Sequence, residues 1–388
     1  MKYFGYVLVA VIAFVAAIFV TKADLIKIDD MDFSDTGDSA FEQLEPTEYT
    51  TYYSQLTDYQ KKIYDGIYDV IKNQKESVDF KNVDIAEFRR NAFRATTAFE
   101  QDHPEFFWYT GGYTVTSSRS TFEEKGDIEF SPYYYSYANS FFNEKSKAEE
   151  LKNAVNKVAD LARQHSSNGY DQLVFVHDYL IENAIYDHDA LDEYYKTNRS
   201  PSCEYIFSAY GCLVNGKTVC AGFAKAFQMI ARELGFDCSY VTGDAGGAHG
   251  WNCIYIDGEG YYVDITWDND DKAVETPRYD YAFIDSETLS RTHEADDEFE
   301  VPVCKADEYN YFHYYGYYLE EYSFSAASDI LSSQSGNDAV FIKFGSMEEV
   351  KSAYRELVSS FGYKRISAIN DYGDAYLNDE HYIVGFYK

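Results

Sequence analysis

The stretch from Lys217 to Asp268, KTVCAGFAKAFQMIARELGFDCSYVTGDAGGAHGWNCIYIDGEGYYVDITWD, constrains this chain more than any other. After Cys220, the residues Phe223, Phe227, Ile230 and Leu234 recur at helical spacing, which predicts one buried helix face. Gly235 comes directly after and suits the left-handed position that ends a helix. Gly222 falls in the first turn, where the lack of a side chain permits close approach of a sheet or a substrate. Cys238 to Gly243 then reads as a short strand, followed by the Gly-rich DAGGAHG. From His249 to Ile256 the pattern alternates, so His249, Trp251, Cys253 and Tyr255 share a face. Asp257-Gly258-Glu259-Gly260 reads as a hairpin turn. Tyr261 to Trp267 reads as the returning strand, with Tyr262, Asp264 and Thr266 on one face. A helix packed on an antiparallel hairpin is an α+β arrangement.

Three side chains in this stretch carry a chemical implication. Cys220 falls at the start of the helix, where unpaired amides and the helix dipole favour a thiolate. About a turn centred near residue 258, His249 and Asp264 are near-neighbours on one face rather than direct cross-strand pairs. An aspartate there can accept the imidazole Nδ1–H and leave Nε2 to take the thiol proton. The same helix-terminal amides can hold a developing oxyanion.

The runs VCAGFAKAF, HGWN and YVDITWD resemble the transglutaminase-like superfamily of cysteine acyl-transfer enzymes, in particular its bacterial secreted branch. FVHDYLIENAIYD (Phe175 to Asp187), AYGCLVNGKTVC (Ala209 to Cys220) and YDYAFIDSETLS (Tyr279 to Ser290) add to the resemblance, which covers roughly residues 150–300. It implies a papain-like core, a catalytic helix packed on an antiparallel sheet. Cys220 would be the nucleophile, His249 the general base and acid, and Asp264 the orienting group. Gly250 departs from the alanine usual after the histidine, a change read here as tolerable on a strand face. Trp251 and Trp267 flank the His and Asp strands as candidate cleft walls, and Tyr210 is a candidate oxyanion-hole group.

The remainder of the chain divides around this core. Met1 and Lys2 precede an uncharged run to Thr21, which reads as a signal peptide or a single N-terminal membrane anchor over residues 1–23 and implies export. No cysteine comes just after it, which excludes a lipid-anchored lipoprotein. Residues 24–55 form an acidic linker. Residues 56–146 form a helix-plus-strand module, with Leu56, Tyr59, Ile63, Ile67, Val70 and Ile71 at helical spacing, a second helix over Val83 to Glu100, and strand composition after Asp102. The catalytic domain spans residues 147–300, with helices over Lys147 to Gln164 and Asp171 to Ala184. Pro302 opens a small α+β lobe, residues 301–388, read as strand (Ala339 to Phe344), helix (Ser346 to Phe361), strand (Lys364 to Asn370), turn and strand (His381 to Tyr387).

A net charge of −33 argues against nucleic acid and anionic membrane surfaces as partners. Forty tyrosines, clustered at Ser131 to Tyr137 and Tyr311 to Tyr318, suit either sugar-stacking platforms or aromatic packing, and packing is the simpler reading. Of Cys203, Cys212, Cys220, Cys238, Cys253 and Cys304, most are expected to be free and buried, with Cys238 and Cys253 able to face each other across strands. His177-Asp178 reads as a structural pair. Metal readings are weak: Asp187-His188-Asp189 are adjacent on a loop, Asp268, Asp270 and Asp271 fail the calcium-loop pattern, and Cys220, His249, Cys253 and Asp264 lack zinc-ligand spacing. No cofactor is expected. The resulting expectation is an exported cysteine-dependent enzyme acting on protein or peptide amides, cell-wall peptides among them, as a peptidase, amidase or cross-linker. The rival is a non-catalytic surface binding module that keeps the fold.

Overall fold

Helical periodicity at the start of the chain is realised in α1 (Asp58–Lys72), whose buried face is Ile63, Tyr64, Ile67, Val70 and Ile71. Thr57 and Gln60 exchange hydrogen bonds in a capping box that sets its first turn. The structure, a computed structural model, describes residues 51–117, 125–134, 144–197, 205–269 and 277–388. The N-terminal uncharged run, most of the acidic linker, part of the first tyrosine cluster, Cys203, Asp270 and Asp271 lie outside the described residues. Among the described residues no helix is long and apolar enough to cross a membrane.

After α1 come β1 (Val78–Asp84), α2 (Ile85–Asp102), β2 (Tyr109–Ser117) and β3 (Lys125–Tyr134), the strands forming an antiparallel sheet in the order β1-β3-β2. Two long helices, α3 (Glu144–His165) and α4 (Gly169–Asn183), lead to β4 (Ile185–Tyr186), α5 (His188–Thr197) and β5 (Lys217–Thr218), with β4 and β5 pairing in parallel. Next are α6 (Cys220–Glu233), β6 (Cys238–Asp244), β7 (Ala248–Ile256), β8 (Glu259–Val263), the single-turn α7 (Ile265–Asp268), α8 (Ser286–Leu289) and β9 (Glu294–Ala295). Their sheet runs β8-β7-β6-β9, and α6 packs on β6, β7, α3 and α4. The molecule is thus a mixed α+β fold with several sheets.

Phe223, Phe227 and Ile230 of α6 are all buried in the main core, each contributing about 2 kcal/mol of hydrophobic stabilisation. The helix ends as its sequence predicts. Gly235 takes φ +95, its N–H donates to the Arg232 carbonyl, and Phe236 N–H donates to the Ala231 carbonyl, a Schellman motif. That core runs continuously from Tyr52 through α2 and α6 to Phe299. Arg232 fastens the seam, donating to the carbonyls of Cys238 (2.9 Å) and Asp102 (2.7 Å).

The last part of the chain contains α9 (Tyr311–Tyr314), β10 (Tyr318–Leu319), α10 (Phe324–Ser333), β11 (Ala339–Phe344), α11 (Met347–Ala353), β12 (Asp374–Asn378) and β13 (Ile383–Tyr387), with sheet order β10-β11-β13-β12. Lys364 to Asn370, expected as a strand, instead forms two 3-10 turns, Gly362–Arg365 and Ser367–Ile369. Ile366 and Ile369 are both buried, and a spacing of three suits a 3-10 turn better than a strand. The strand lies at Asp374–Asn378, expected as a turn. It is an edge strand with mostly exposed side chains, held by its ladder to β13, so it shows no apolar alternation. Tyr311 to Tyr318 serves as packing: Tyr311 stacks on Tyr279 with ring centroids 3.6 Å apart.

The β6–β7 register places Cys238 opposite Ile254 and Cys253 opposite Ser239, so the two thiols point to opposite faces and do not meet. Cys253 instead lies beside Cys304, with Sγ atoms 4.0 Å apart in a buried pocket. Treatment of the folded protein with a diazene oxidant is therefore expected to join Cys253 to Cys304. Peptide mapping should show the pair cross-linked with the loss of two hydrogen atoms, and a map with both thiols still alkylatable would contradict this.

Candidate active site

Cys220 begins α6 with Val219 at the N-cap, a residue with no side-chain acceptor to occupy the first-turn amides. Among the described cysteines it is the one that is not buried. Burial pushes the Cys212 and Cys238 thiols well above the ordinary range, which leaves them as inert core groups.

The β7–β8 hairpin turns through Asp257 (φ 51) and Gly258 (φ 88), a two-residue turn with both central residues left-handed. Asn252 pairs with Val263 and Ile256 with Glu259, a tighter register than a turn centred at 258. Continued by one residue, this register sets Asp264 opposite Trp251, two residues from His249 on the same face. The strand expected through Trp267 stops at Val263. Asp264 Oδ1 accepts from the N–H groups of Thr266 (2.9 Å) and Trp267 (3.2 Å) and so caps α7. That cap frees Oδ2 for the imidazole.

His249 Nε2 lies 2.7 Å from Asp264 Oδ2. The expected assignment of the ring nitrogens is therefore reversed: Nε2 meets the carboxylate and Nδ1 is left for the thiol. The reason is position. His249 is the second residue of β7 and Asp264 lies one residue past β8, so the two meet diagonally. Burial opposes charge on this imidazole. The Asp264 charge and hydrogen bond, and then a hydrogen bond with Cys220, outweigh it and carry the pKa up to about 10. Burial likewise opposes ionisation of Asp264, and the charge and hydrogen bonds of His249, with those of His293, hold it far below the carboxylate range.

His293 was not legible as a site residue. It stands alone in the run RTHEADD, outside any periodic segment. Its Nε2 lies 3.0 Å from the same Asp264 Oδ2, and its Nδ1 lies 2.8 Å from Thr292 Oγ1. Two tyrosines join the site without a sequence signal of their own. Tyr186 lies near Cys220, which adds to burial in raising the tyrosine pKa, and it is brought there by the pairing of Tyr186 with Thr218, two residues before Cys220. Tyr240 lies with its ring 2.5 Å from where a Cβ on Gly250 would sit. Gly250 is thus a requirement of Tyr240, not merely a tolerated change.

The other expected site residues are more scattered. Trp251 is fully buried, with its ring over His249 (6.0 Å) and edge-on to His293 (4.9 Å). It backs the imidazoles and does not line an open cleft. Trp267 is half-buried, 6.2 Å from His249 and 4.8 Å from His293. Tyr210 is not in the site: its hydroxyl donates to Glu150 (2.6 Å) and its ring stacks on Phe107. Cys253 sits with Cys304, so it cannot complete a zinc set with Cys220. Asp187 accepts from Ala190 N–H at the start of α5, and Asp187, His188 and Asp189 do not gather as a ligand set. His177 is buried between Asp178 (2.9 Å) and Asp268 (3.1 Å), a structural ion pair that also removes Asp268 from any calcium loop. His249, Asp264 and His293 offer atoms within 4.8 Å of one another, and their direct N–H···O contacts account for that closeness without an ion.

Cys220, His249 and Asp264 thus come from a helix start, a strand and the turn after the next strand. Residues 156–265 match the transglutaminase-like superfamily. The chain contains a transglutaminase-like domain. That superfamily includes cysteine peptidases and acyltransferases. The chain is similar to kyphoscoliosis peptidase of Mus musculus, at 23% identity over 158 residues covering 37% of this chain and 22% of the relative. It is similar to kyphoscoliosis peptidase of Homo sapiens at 30% over 92 residues, covering 20% of this chain and 14% of that protein. The chain therefore spans less than a quarter of the length of these curated relatives. A solved structure described as a crystal structure of a TGase aligns with 42% of this chain and 47% of its own, at 14% identity and a TM-score of 0.28.

Proposed function

We propose that the transglutaminase-like domain is a cysteine-dependent acyl-transfer enzyme with a papain-like site, acting on peptide or side-chain amides through a thioester. The observation that carries this reading is the 2.7 Å bond from His249 Nε2 to Asp264 Oδ2, with Cys220 near enough to help raise the imidazole pKa. With its proton already held on the His249 imidazolium, Cys220 Sγ attacks the amide carbonyl as a thiolate. The imidazolium then gives that proton to the departing amine, and the C–N bond breaks. Water or a second amine attacks the thioester, His249 takes the proton of the attacking group, and the thiol is released. The first-turn amides of α6 beside Cys220 would receive the carbonyl oxygen. The name of the curated relatives favours hydrolysis over cross-linking. Export to the cell surface, with or without an N-terminal anchor, and a protein or cell-wall peptide substrate complete the proposal.

The test is to incubate the protein with a panel of activated amide and ester donors and to identify the modified residue by mass mapping. An acyl adduct on Cys220 that an added amine discharges faster than water indicates transamidation. One that the amine leaves unaffected indicates hydrolysis. No adduct on Cys220 with any donor would leave the binding module as the better account.

A further inference from the structure

The carboxylate oxygen that faces His249 is shared. Asp264 Oδ2 lies 2.7 Å from His249 Nε2 and 3.0 Å from His293 Nε2, while Oδ1 is engaged by two backbone N–H groups. We propose that His293 is a positioning residue of this site: its Nε2–H donates to Asp264 Oδ2 and holds that oxygen as a fixed, partly neutralised acceptor for His249. The inference rests on the reading of Cys220, His249 and Asp264 as the reacting set, and it adds a fourth member to it.

The fold goes to some length to bring His293 there. The residue comes after α8, and its N–H donates to the Leu289 carbonyl. The next two residues form β9, which pairs with β6 at the end where Gly243 faces His249 across the sheet. Gly243 makes this approach possible, since a Cβ there would lie 2.1 Å from the Glu294 carbonyl oxygen. The His293 side chain is wholly buried among Trp251, Trp267 and Tyr281. Thr292 Oγ1 meets its Nδ1, which leaves Nε2 to carry the proton toward Asp264. In walls this apolar, an uncompensated lone pair on the carboxylate would be costly and would attract the His249 proton more strongly. The donor at His293 moderates that pull. The titratable groups on the elements around the two imidazoles include Cys220 of α6, Tyr240 and Asp244 of β6, Asp268 of α7, Tyr281 before α8 and Glu294 of β9.

The pH dependence of Cys220 alkylation by iodoacetamide, quantified by peptide mapping, reads this without a substrate. In the wild-type protein Cys220 should react selectively, with an alkaline limb set by His249. His293→Ala should move that limb to higher pH by about one unit, a tenfold change in the proton equilibrium. His293→Gln, which keeps an N–H donor, should restore it. A His293→Ala profile that overlays the wild type, or a His293→Gln profile that tracks the alanine variant, overturns the proposal. If Cys220 reacts no faster than the buried thiols in the wild type, the reacting set itself is wrong. Should the alanine variant not fold, imidazole nitrogen–proton NMR of the wild-type protein decides the bond directly. A hydrogen-bonded Nε2 proton on His293 supports the assignment, and a His293 ring protonated only at Nδ1 rules it out.

Discussion

Asp264→Asn should slow acylation of Cys220 by about 10⁴-fold, the scale seen when the orienting aspartate of a catalytic triad becomes an amide, while the protein stays folded. The backbone decides the outcome. Thr266 and Trp267 N–H both donate to Oδ1, so an amide that keeps the α7 cap places its oxygen there and turns its NH₂ toward His249 and His293, both of which must then accept. His249 Nε2 would then have to accept, its proton would sit on Nδ1, and the nitrogen facing Cys220 could no longer take the thiol proton. The α7 cap survives, so stability should change far less than rate. What change there is should depend on pH. The His249 pKa is raised to about 10 by Asp264, so this pair stabilises the fold fully below the unfolded histidine range near 6.5, and the contribution fades as pH rises through about 10. The carboxylate is depressed, so the same contribution is lost at the acid end as pH falls below about 4. Thermal unfolding should therefore separate variant from wild type most at about pH 5–6. Retained Cys220 reactivity in the variant, or a stability gap that widens toward pH 10, would contradict this account.

Gly222→Ala is expected to be the most destabilising small substitution near the site. An added Cβ would lie 1.8 Å from Thr218 Oγ1, 2.7 Å from the Ser208 carbonyl oxygen and 2.9 Å from that of Ile206. None of these is a flexible side-chain tip. Thr218 is fully buried and donates to the Ile206 carbonyl at 2.8 Å. That carbonyl also accepts from Val219 N–H at 3.0 Å, immediately before Cys220. Making room means moving the segment that seats the helix start, at a cost of about 3 kcal/mol or more. Gly235→Ala is the internal comparison. There φ is +95 and nothing lies within 4 Å of the new Cβ, so the cost is backbone strain alone, about 1 kcal/mol. Urea unfolding midpoints should rank the two variants in that order, and Gly222→Ala should also lose selective alkylation of Cys220. Equal midpoints would mean that the first turn of α6 is less tightly seated than its contacts imply.

Local pattern was sufficient for the elements that carry their own periodicity or caps. The apolar stripe of α6 and its Gly235 stop, the Asp257-Gly258 turn, and α1 with its Thr57–Gln60 box all depend on residues within a few positions of one another. The nearness of His249 and Asp264 belongs to the same class, since a hairpin register is a short-range property, whereas Cys220 approaches them only through the packing of α6 on β7. The failures share a cause. Lys364 to Asn370 and Asp374–Asn378 exchange roles because an edge strand gains its hydrogen bonds from a neighbour and not from its own side chains. Tyr210 was misplaced because its hydroxyl is claimed by Glu150 from α3.

The choice of His249 nitrogen, the arrival of His293, Tyr186 beside Cys220 and the fit of Tyr240 over Gly250 are set by how separate segments pack. Each depends on the angle or distance between elements far apart along the chain. Periodicity records which face of an element is buried. It carries no record of which other element covers that face, and the finer hydrogen bonding of this site is made at those covered faces.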